Sequence, residues 1–308
     1  MINPIWAFSG RRRMRTVRTA LLLSLYGAAV LLFGLGTSFG RLCGKTVSVY
    51  GMRSGLDGYA YMMIFQFMLI LLVTPALTAG SISGERERQT LELLLVTNTG
   101  SFRIVMGKLL ESLGMMGLLI MATLPAMCLP LLLGCVTLGQ VLEGLLFLGV
   151  TAFAALSVGM LASTLFRRTV ASTVVAYLAV FGIGILTLLP IIGDVARASA
   201  AYDAMYSSAV TIGGASGPTA IFSTGGMMMW SFVFNPALGL CALIADQTGI
   251  LRNSISNLSY TLYSMYDYID FAALKWYSMA FMALAGLALD LLAVCFVRPR
   301  NKRVRKMA

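Results

Sequence analysis

VLEGLLFLGVTAFAALSVGMLASTL, residues 141–165, is the stretch on which the fold turns. It holds one charged residue, Glu143, near its start, and Phe166, Arg167 and Arg168 follow at once. As a helix it measures ~37 Å, longer than the ~30 Å hydrocarbon layer of a bilayer. A helix on the surface of a soluble domain would need a polar face, and this one has none. Five further runs have the same character: residues 19–39, 59–79, 104–133, 169–192 and 276–297. Of the 308 residues, 58% are hydrophobic and 11% charged, which excludes a soluble domain. The expected fold is an all-α polytopic membrane protein, one domain of six transmembrane helices.

The formal net charge of +11 is read by position before its sign is interpreted. Arg11, Arg12, Arg13, Arg15 and Arg18 precede the first run; Arg86, Arg88, Arg103 and Lys108 lie between the second and third; Arg167 and Arg168 follow the fourth; Arg298, Arg300, Lys302, Arg303, Arg305 and Lys306 close the chain. Basic loops resist translocation, so these clusters mark one side of the membrane. Segments 1–18, 81–101 and 298–308 are therefore expected to be cytoplasmic, and residues 194–275 to form a long outer loop. No aromatic residues interleave with the basic tail to stack on bases, so no nucleic acid partner is expected. The first run is read as a retained helix rather than a signal peptide, from its length, its lack of an Ala-x-Ala pattern and the five runs after it.

Within the outer loop, residues 227–245 are apolar. A seventh crossing there would put the six-charge tail outside, and Asn235-Pro236 would break a spanning helix. The segment is therefore read as re-entrant or interfacial. A polar outer loop is expected over residues 40–58.

Much chemistry is excluded. There is no histidine, which removes the commonest zinc ligand and general base together. Cys43, Cys128, Cys135, Cys241 and Cys295 show no metal-site spacing and read as small apolar fillers. Residues 40–46, GRLCGKT, are one residue short of a phosphate-binding loop and lack its strand-to-helix context. No ATPase or other enzyme activity is expected of this chain. Among acids near the spans, Glu111 and Glu143 lie near helix ends, and Asp290 is the most intramembrane. Placing such a charge at mid-bilayer costs at least ~2.5 kcal/mol, so Asp290 is either partnered by a neighbouring helix or part of an intramembrane polar site. Ala155, Gly159 and Ser163 recur at four-residue spacing and admit close helix approach, within the chain in preference to between subunits.

The other informative segment is PALTAGSISGERERQTLELLL, residues 75–95. A span is expected to break at Pro75 and the small residues after it, and Ser83 to cap a new helix with Glu85 and Glu87 in its first turn, where the helix dipole favours anions. Glu85, Arg88, Gln89 and Glu92 fall on one stripe, with Leu91 and Leu94 towards the other side. A short amphipathic helix joining two spans on the cytoplasmic face results. Its bland reading is an interfacial helix with intrahelical Glu85/Arg88 pairing; its functional one is a lever seated on a cytoplasmic protein.

Pro75, Ala79, Gly80, Ile82, Gly84-Glu85-Arg86-Glu87, Thr90-Leu91-Glu92 and Leu94, then Ile104 and Gly107-Lys108-Leu109, resemble the signature of the ABC-2 type permeases, membrane subunits of ATP-binding-cassette transporters. Asn3-Pro4-Ile5 with the arginines after it resembles that family's N-terminal interfacial helix, and Arg167-Arg168-Thr169 its turn after the fourth span. The resemblance implies that a helix over about 84–96 couples to a separate ATPase subunit, which binds ATP and Mg. It implies further that two permease chains assemble, as a homo- or heterodimer, in the plasma membrane, and that the substrate is exported. Glu85, Arg86, Glu87 and Thr90 would position the coupling helix, and Leu91 and Leu94 would supply its buried contact. Two other readings stand beside this one. A non-transporting anchor for a cytoplasmic protein would share the docking helix; an ion-coupled carrier acting alone would need more buried charges than Asp290 supplies.

Overall fold

The computed structural model describes residues 17–42, 49–89, 101–189, 193, 231–248 and 270–297. The elements among these are all helical: α1 (Val17–Leu42), α2 (Val49–Thr78), α3 (Ser83–Glu87), α4 (Ser101–Ala122), α5 (Leu124–Leu132), α6 (Leu138–Leu165), α7 (Thr169–Leu186), α8 (Pro236–Thr248) and α9 (Phe271–Val297). Six helical stretches are long and apolar enough to cross a membrane. The chain is thus a multi-pass helical membrane protein. It packs as two units, residues 1–180 with 283–308 and residues 181–282.

The first unit is built on α2 and α6, which run parallel. Their partners keep an offset of 81 residues from the Tyr59 hydroxyl, which donates to the Gln140 carbonyl, to the Ile82 amide, which donates to Ser163 Oγ. Parallel direction is what the second and fourth spans of an alternating bundle must have. Tyr59, Met62, Met63, Ile70, Phe147 and Leu148 are fully buried between these helices and their neighbours. In lipid the helices gain little from hydrophobicity towards one another, so close packing has to supply the attraction, and small residues permit it. A Cβ on Gly144 would lie 1.8 Å from Met63 Cε, and one on Gly159 2.0 Å from Thr78 Oγ1. Ala155, Gly159 and Ser163 are buried inside the unit, so the small-residue stripe serves packing within this chain. Around this centre α1 and α7 are mostly exposed, with Leu21, Leu25 and Leu32 on α1 and Val170, Val174 and Leu178 on α7 as exposed apolar side chains.

Local signals explain the helix ends. Thr137 opens α6 with a capping box: its side chain accepts from Gln140 N, and its own N–H donates to Gln140 Oε1 at 2.8 Å. Gly134 ends the preceding segment at φ 66, a conformation glycine adopts without strain. The third span is divided at Thr123 rather than at its prolines, because Pro125 sits in the first turn of α5, where its missing N–H costs nothing. Gln66 Nε2 on α2 donates to Thr123 Oγ1 at 2.7 Å, and that hydroxyl donates to the Ile120 carbonyl at 2.6 Å.

Two expectations are corrected here. Pro75 itself does not break the second span, which ends among the small residues after it: α2 continues through Pro75 to Thr78, where the Thr78 hydroxyl donates to Thr74 O at 3.1 Å and Ala79 N–H to Pro75 O at 2.9 Å. The loop expected over 40–58 is largely helix, since α1 reaches Leu42 and α2 starts at Val49; no proline between these points stops either helix. Residues 43–48, and with them most of the GRLCGKT run, lie outside the described residues.

In the second unit a helical turn at 231–234 halts at Asn235, as the Asn-Pro pair anticipates. Asn235 Oδ1 accepts from Ala237 N at 2.9 Å, and Pro236 follows as the first residue of α8. Asn235 Nδ2 donates to Gly184 O at 2.9 Å and ties this break to the end of α7. With 13 residues, ~20 Å, α8 is too short to cross a bilayer. Phe232, Ala242 and Leu274 form a small core with Leu238 and Phe271, and Lys275 Nζ lies 2.5 Å from Asp246 Oδ2. Asp270 caps α9, accepting from Ala272 N at 3.1 Å and Ala273 N at 3.2 Å.

Candidate functional site

The turn from Ala79 to Gln89 is built from both directions. The N-cap position of α3 is held by Ile82, which has no side chain that can cap the helix, and Ser83 does not cap it either. Instead Ser83 Oγ donates back to Ala79 O at 2.7 Å. The cap comes from another helix: Ser163 Oγ on the last turn of α6 accepts from Ile82 N and Ser83 N, both at 2.9 Å. Ala79 O also accepts from Ser172 Oγ on α7, again at 2.7 Å. One carbonyl and one hydroxyl therefore satisfy four groups at the first turn, where helix N–H donors have no partners of their own.

The charged side chains complete the anchorage. Glu85 Oε1 lies 2.7 Å from Lys108 Nζ on α4, and Lys108 lies 3.8 Å from Glu111 Oε2. Arg86 Nη1 donates to Thr164 O at 3.1 Å, where α6 ends with unpaired carbonyls. Glu87 Oε2 accepts from Thr169 Oγ1 at 2.8 Å and Thr169 N at 3.2 Å, so it caps α7 from outside that helix. Glu87 is exposed and lies beyond the last turn of α2; the Thr169 hydroxyl and then its N–H hold this carboxyl below its ordinary range, with Arg168 and Arg88 contributing. A Cβ on Gly84 would meet Thr169 Cγ2 at 3.4 Å, so α3 rests against the start of α7.

Glu85, Arg86 and Glu87 are thus brought together, each turned to the chain's own helices: α4, α6 and α7 in that order. The Glu85/Arg88 pairing of the bland reading is replaced at Glu85 by the cross-helix ion pair with Lys108. Arg88 and Gln89 are exposed, and Gln89 takes the left-handed conformation at φ 59, which ends α3 after five residues. Thr90, Leu91 and Leu94 lie outside the described residues. The partners Lys108, Ser163, Thr164, Thr169 and Ser172 were not singled out as site residues from the sequence. Ser163 belonged to the small-residue stripe, and Lys108 and Thr169 to the family resemblance; their pairing with α3 depends on helix register.

Asp290 lies apart from this turn, on α9. It is buried, at 7% exposure, and Oδ2 sits 3.0 Å from Ser157 Oγ on α6. The same Ser157 hydroxyl is 3.0 Å from the Phe153 carbonyl. Gly286, one turn earlier on α9, lets the helices meet: a Cβ there would lie 2.7 Å from Phe153 Cε1. Among the described residues there is no cluster of three or more His, Cys, Asp or Glu that could hold a metal.

What fold and geometry together define is a multi-pass helical membrane protein whose charged turn is hydrogen-bonded to the end of α6 and the start of α7 and ion-paired to α4. No family model matches the chain, and no curated protein matches it.

Proposed function

We propose that the chain is the permease subunit of an ABC-2 type transporter, moving its substrate across the plasma membrane under the drive of a separate ATPase subunit. The observation that carries this reading is the anchorage of Ser83–Glu87. A push on that segment reaches α4 through Glu85–Lys108, α6 through Ser163 and Arg86–Thr164, and α7 through Glu87–Thr169, so it displaces three helices together. A helix lying passively on lipid needs no such connections. The resemblance of residues 75–109 to the family signature supports the same reading, as does a fold of six apolar helices. On it both termini are cytoplasmic, ATP and Mg are bound by the partner, a second permease chain completes the pore, and transport runs outward. The docking contacts fall to Arg88, Gln89 and the residues after them, including Thr90, Leu91 and Leu94, while Glu85, Arg86 and Glu87 position the lever.

The test uses Arg88→Glu, whose side chain is exposed. The full chain is purified from its native membrane, and co-purification of an ATP-binding-cassette ATPase is measured together with ATP-driven transport in vesicles. The expected result is a stable complex for the native chain, weakened at least several-fold by Arg88→Glu with folding unchanged. An ATPase that never co-purifies with the native chain would overturn the proposal; a complex without transport would favour the anchor.

A further inference from the structure

We propose that Asp290 is a proton-binding site: it is held as a neutral carboxylic acid whose proton closes the contact between α6 and α9. The inference comes from counting hydrogens. Ser157 has one hydroxyl proton, and its oxygen lies 3.0 Å from Phe153 O and 3.0 Å from Asp290 Oδ2. A carbonyl brings no proton of its own, so two full hydrogen bonds require Asp290 to supply one. Asp290 Oδ2–H then donates to Ser157 Oγ, and the Ser157 hydroxyl donates to Phe153 O.

The same chain occurs elsewhere in the unit with a donor that needs no titration. Gln66 Nε2 donates to Thr123 Oγ1, which donates to Ile120 O. An amide does there what the carboxylic acid does at Ser157.

The surroundings oppose a charge at Asp290. It is 93% buried by its 7% exposure, and Oδ1 has no hydrogen-bond partner among the described residues. Nor does any cation pair with it among them; the ion pairs found involve Glu85, Glu111 and Asp246. Along the chain from Ser157 the nearest charged residues are Glu143, on α6, and Arg167, after its end, each at least two turns away. Along the chain from Asp290 they are Lys275, on α9, and Arg298, after the last residue of α9, with the thiol of Cys295 nearer but exposed. A buried carboxylate with one open oxygen and no counter-charge is far costlier than the neutral acid. Losing the proton would leave Ser157 to choose between Phe153 and Asp290 and would bury a charge beside Phe153, loosening the contact that Gly286 makes possible.

The experiment is infrared difference spectroscopy of the full chain in lipid nanodiscs at neutral pH, comparing the native protein with Asp290→Asn and Ser157→Ala. The native spectrum should carry a protonated-carboxyl C=O band that Asp290→Asn lacks and that moves in Ser157→Ala. Raising the pH should replace this band by carboxylate bands and accelerate amide exchange in α9 of the native chain only. A native protein that instead loses carboxylate bands on Asp290→Asn substitution would overturn the proposal, as would α9 exchange responding to pH alike in both proteins. If Asp290→Asn does not fold, a C=O band of the native protein left unmoved by Ser157→Ala overturns it just as well.

Discussion

Ser163 Oγ, on the last turn of α6, accepts the backbone N–H of Ser83 at 2.9 Å and so caps a helix that begins 80 residues earlier. A second N–H, that of Ile82, goes to the same oxygen at the same distance. Capping by a residue of the same helix would leave α3 free to move as a unit of its own. Capping from α6 makes the position of α3 a property of the helix bundle.

Ser163→Ala should therefore cost more than the loss of a hydroxyl that bonds only within its own helix. Both N–H groups are buried and would lose their acceptor, at about 1–3 kcal/mol for an unsatisfied group. Thermal unfolding in detergent should show the loss, with faster exchange of the amides at residues 82–86. An unchanged midpoint together with unchanged exchange would sink the idea of a cap supplied by α6.

Gly159 marks a close approach of α6 to α2. A Cβ there would fall 2.0 Å from Thr78 Oγ1 and 3.1 Å from Thr78 Cβ, so one helix must shift. Gly159→Ala is expected to destabilise by about 1–3 kcal/mol. Thr78→Ala removes the clashing hydroxyl, so the double variant should recover part of the loss. Strict additivity of the two in a double-mutant cycle would show that the helices do not meet at this point.

Glu87 contributes to stability only while ionised. Its folded-state carboxyl titrates below the ordinary range because Thr169 donates to it. The contribution is thus fully present above the unfolded-state value, near ~4.3, and is lost as pH falls through the lower folded-state value. The midpoint difference between the native chain and Glu87→Gln should be steady at neutral pH and shrink only under acid conditions. A difference that grows as the solution is acidified would refute the assignment.

Asn235 holds the start of α8 and the end of α7 with one side chain, which is fully buried. Asn235→Ala removes both bonds and should cost about 1–3 kcal/mol locally, read as faster amide exchange from residue 236 to 240. Asn235→Asp keeps the acceptor for Ala237 but sets a carboxyl oxygen against the Gly184 carbonyl at a fully buried position, so it should cost at least as much as the alanine variant. If the alanine variant exchanges like the native protein, the break at Asn235 is held by Pro236 alone.

The spans could be located from sequence because a bilayer imposes a one-dimensional rule: about twenty apolar residues without charge, whatever their neighbours. Asn235-Pro236 was legible for a similarly local reason, since proline cannot continue the preceding turn's hydrogen bonding. Pro75 shows the limit of such rules. The same residue type that accompanies a break at Asn235 is carried inside α2, where Thr78 and Ala79 return their hydrogen bonds to the turn before. Ser83 is a parallel case: its type and position suit a cap, yet its hydroxyl turns back to Ala79 because Ser163 already occupies the capping position.

By itself, the sequence determined that this is a helical membrane protein, which runs are long and apolar enough to cross a bilayer, where its charges gather, and that Glu85, Arg86 and Glu87 stand together beside a turn. These follow from solvation, which each segment meets on its own. Only the tertiary structure decided what those charges do. That Glu85 meets Lys108, Glu87 meets Thr169 and Asp290 meets Ser157 depends on the register of helices up to 133 residues apart in the chain. Hydropathy carries no record of that register, because it is set by where Gly144, Gly159 and Gly286 allow helices to approach.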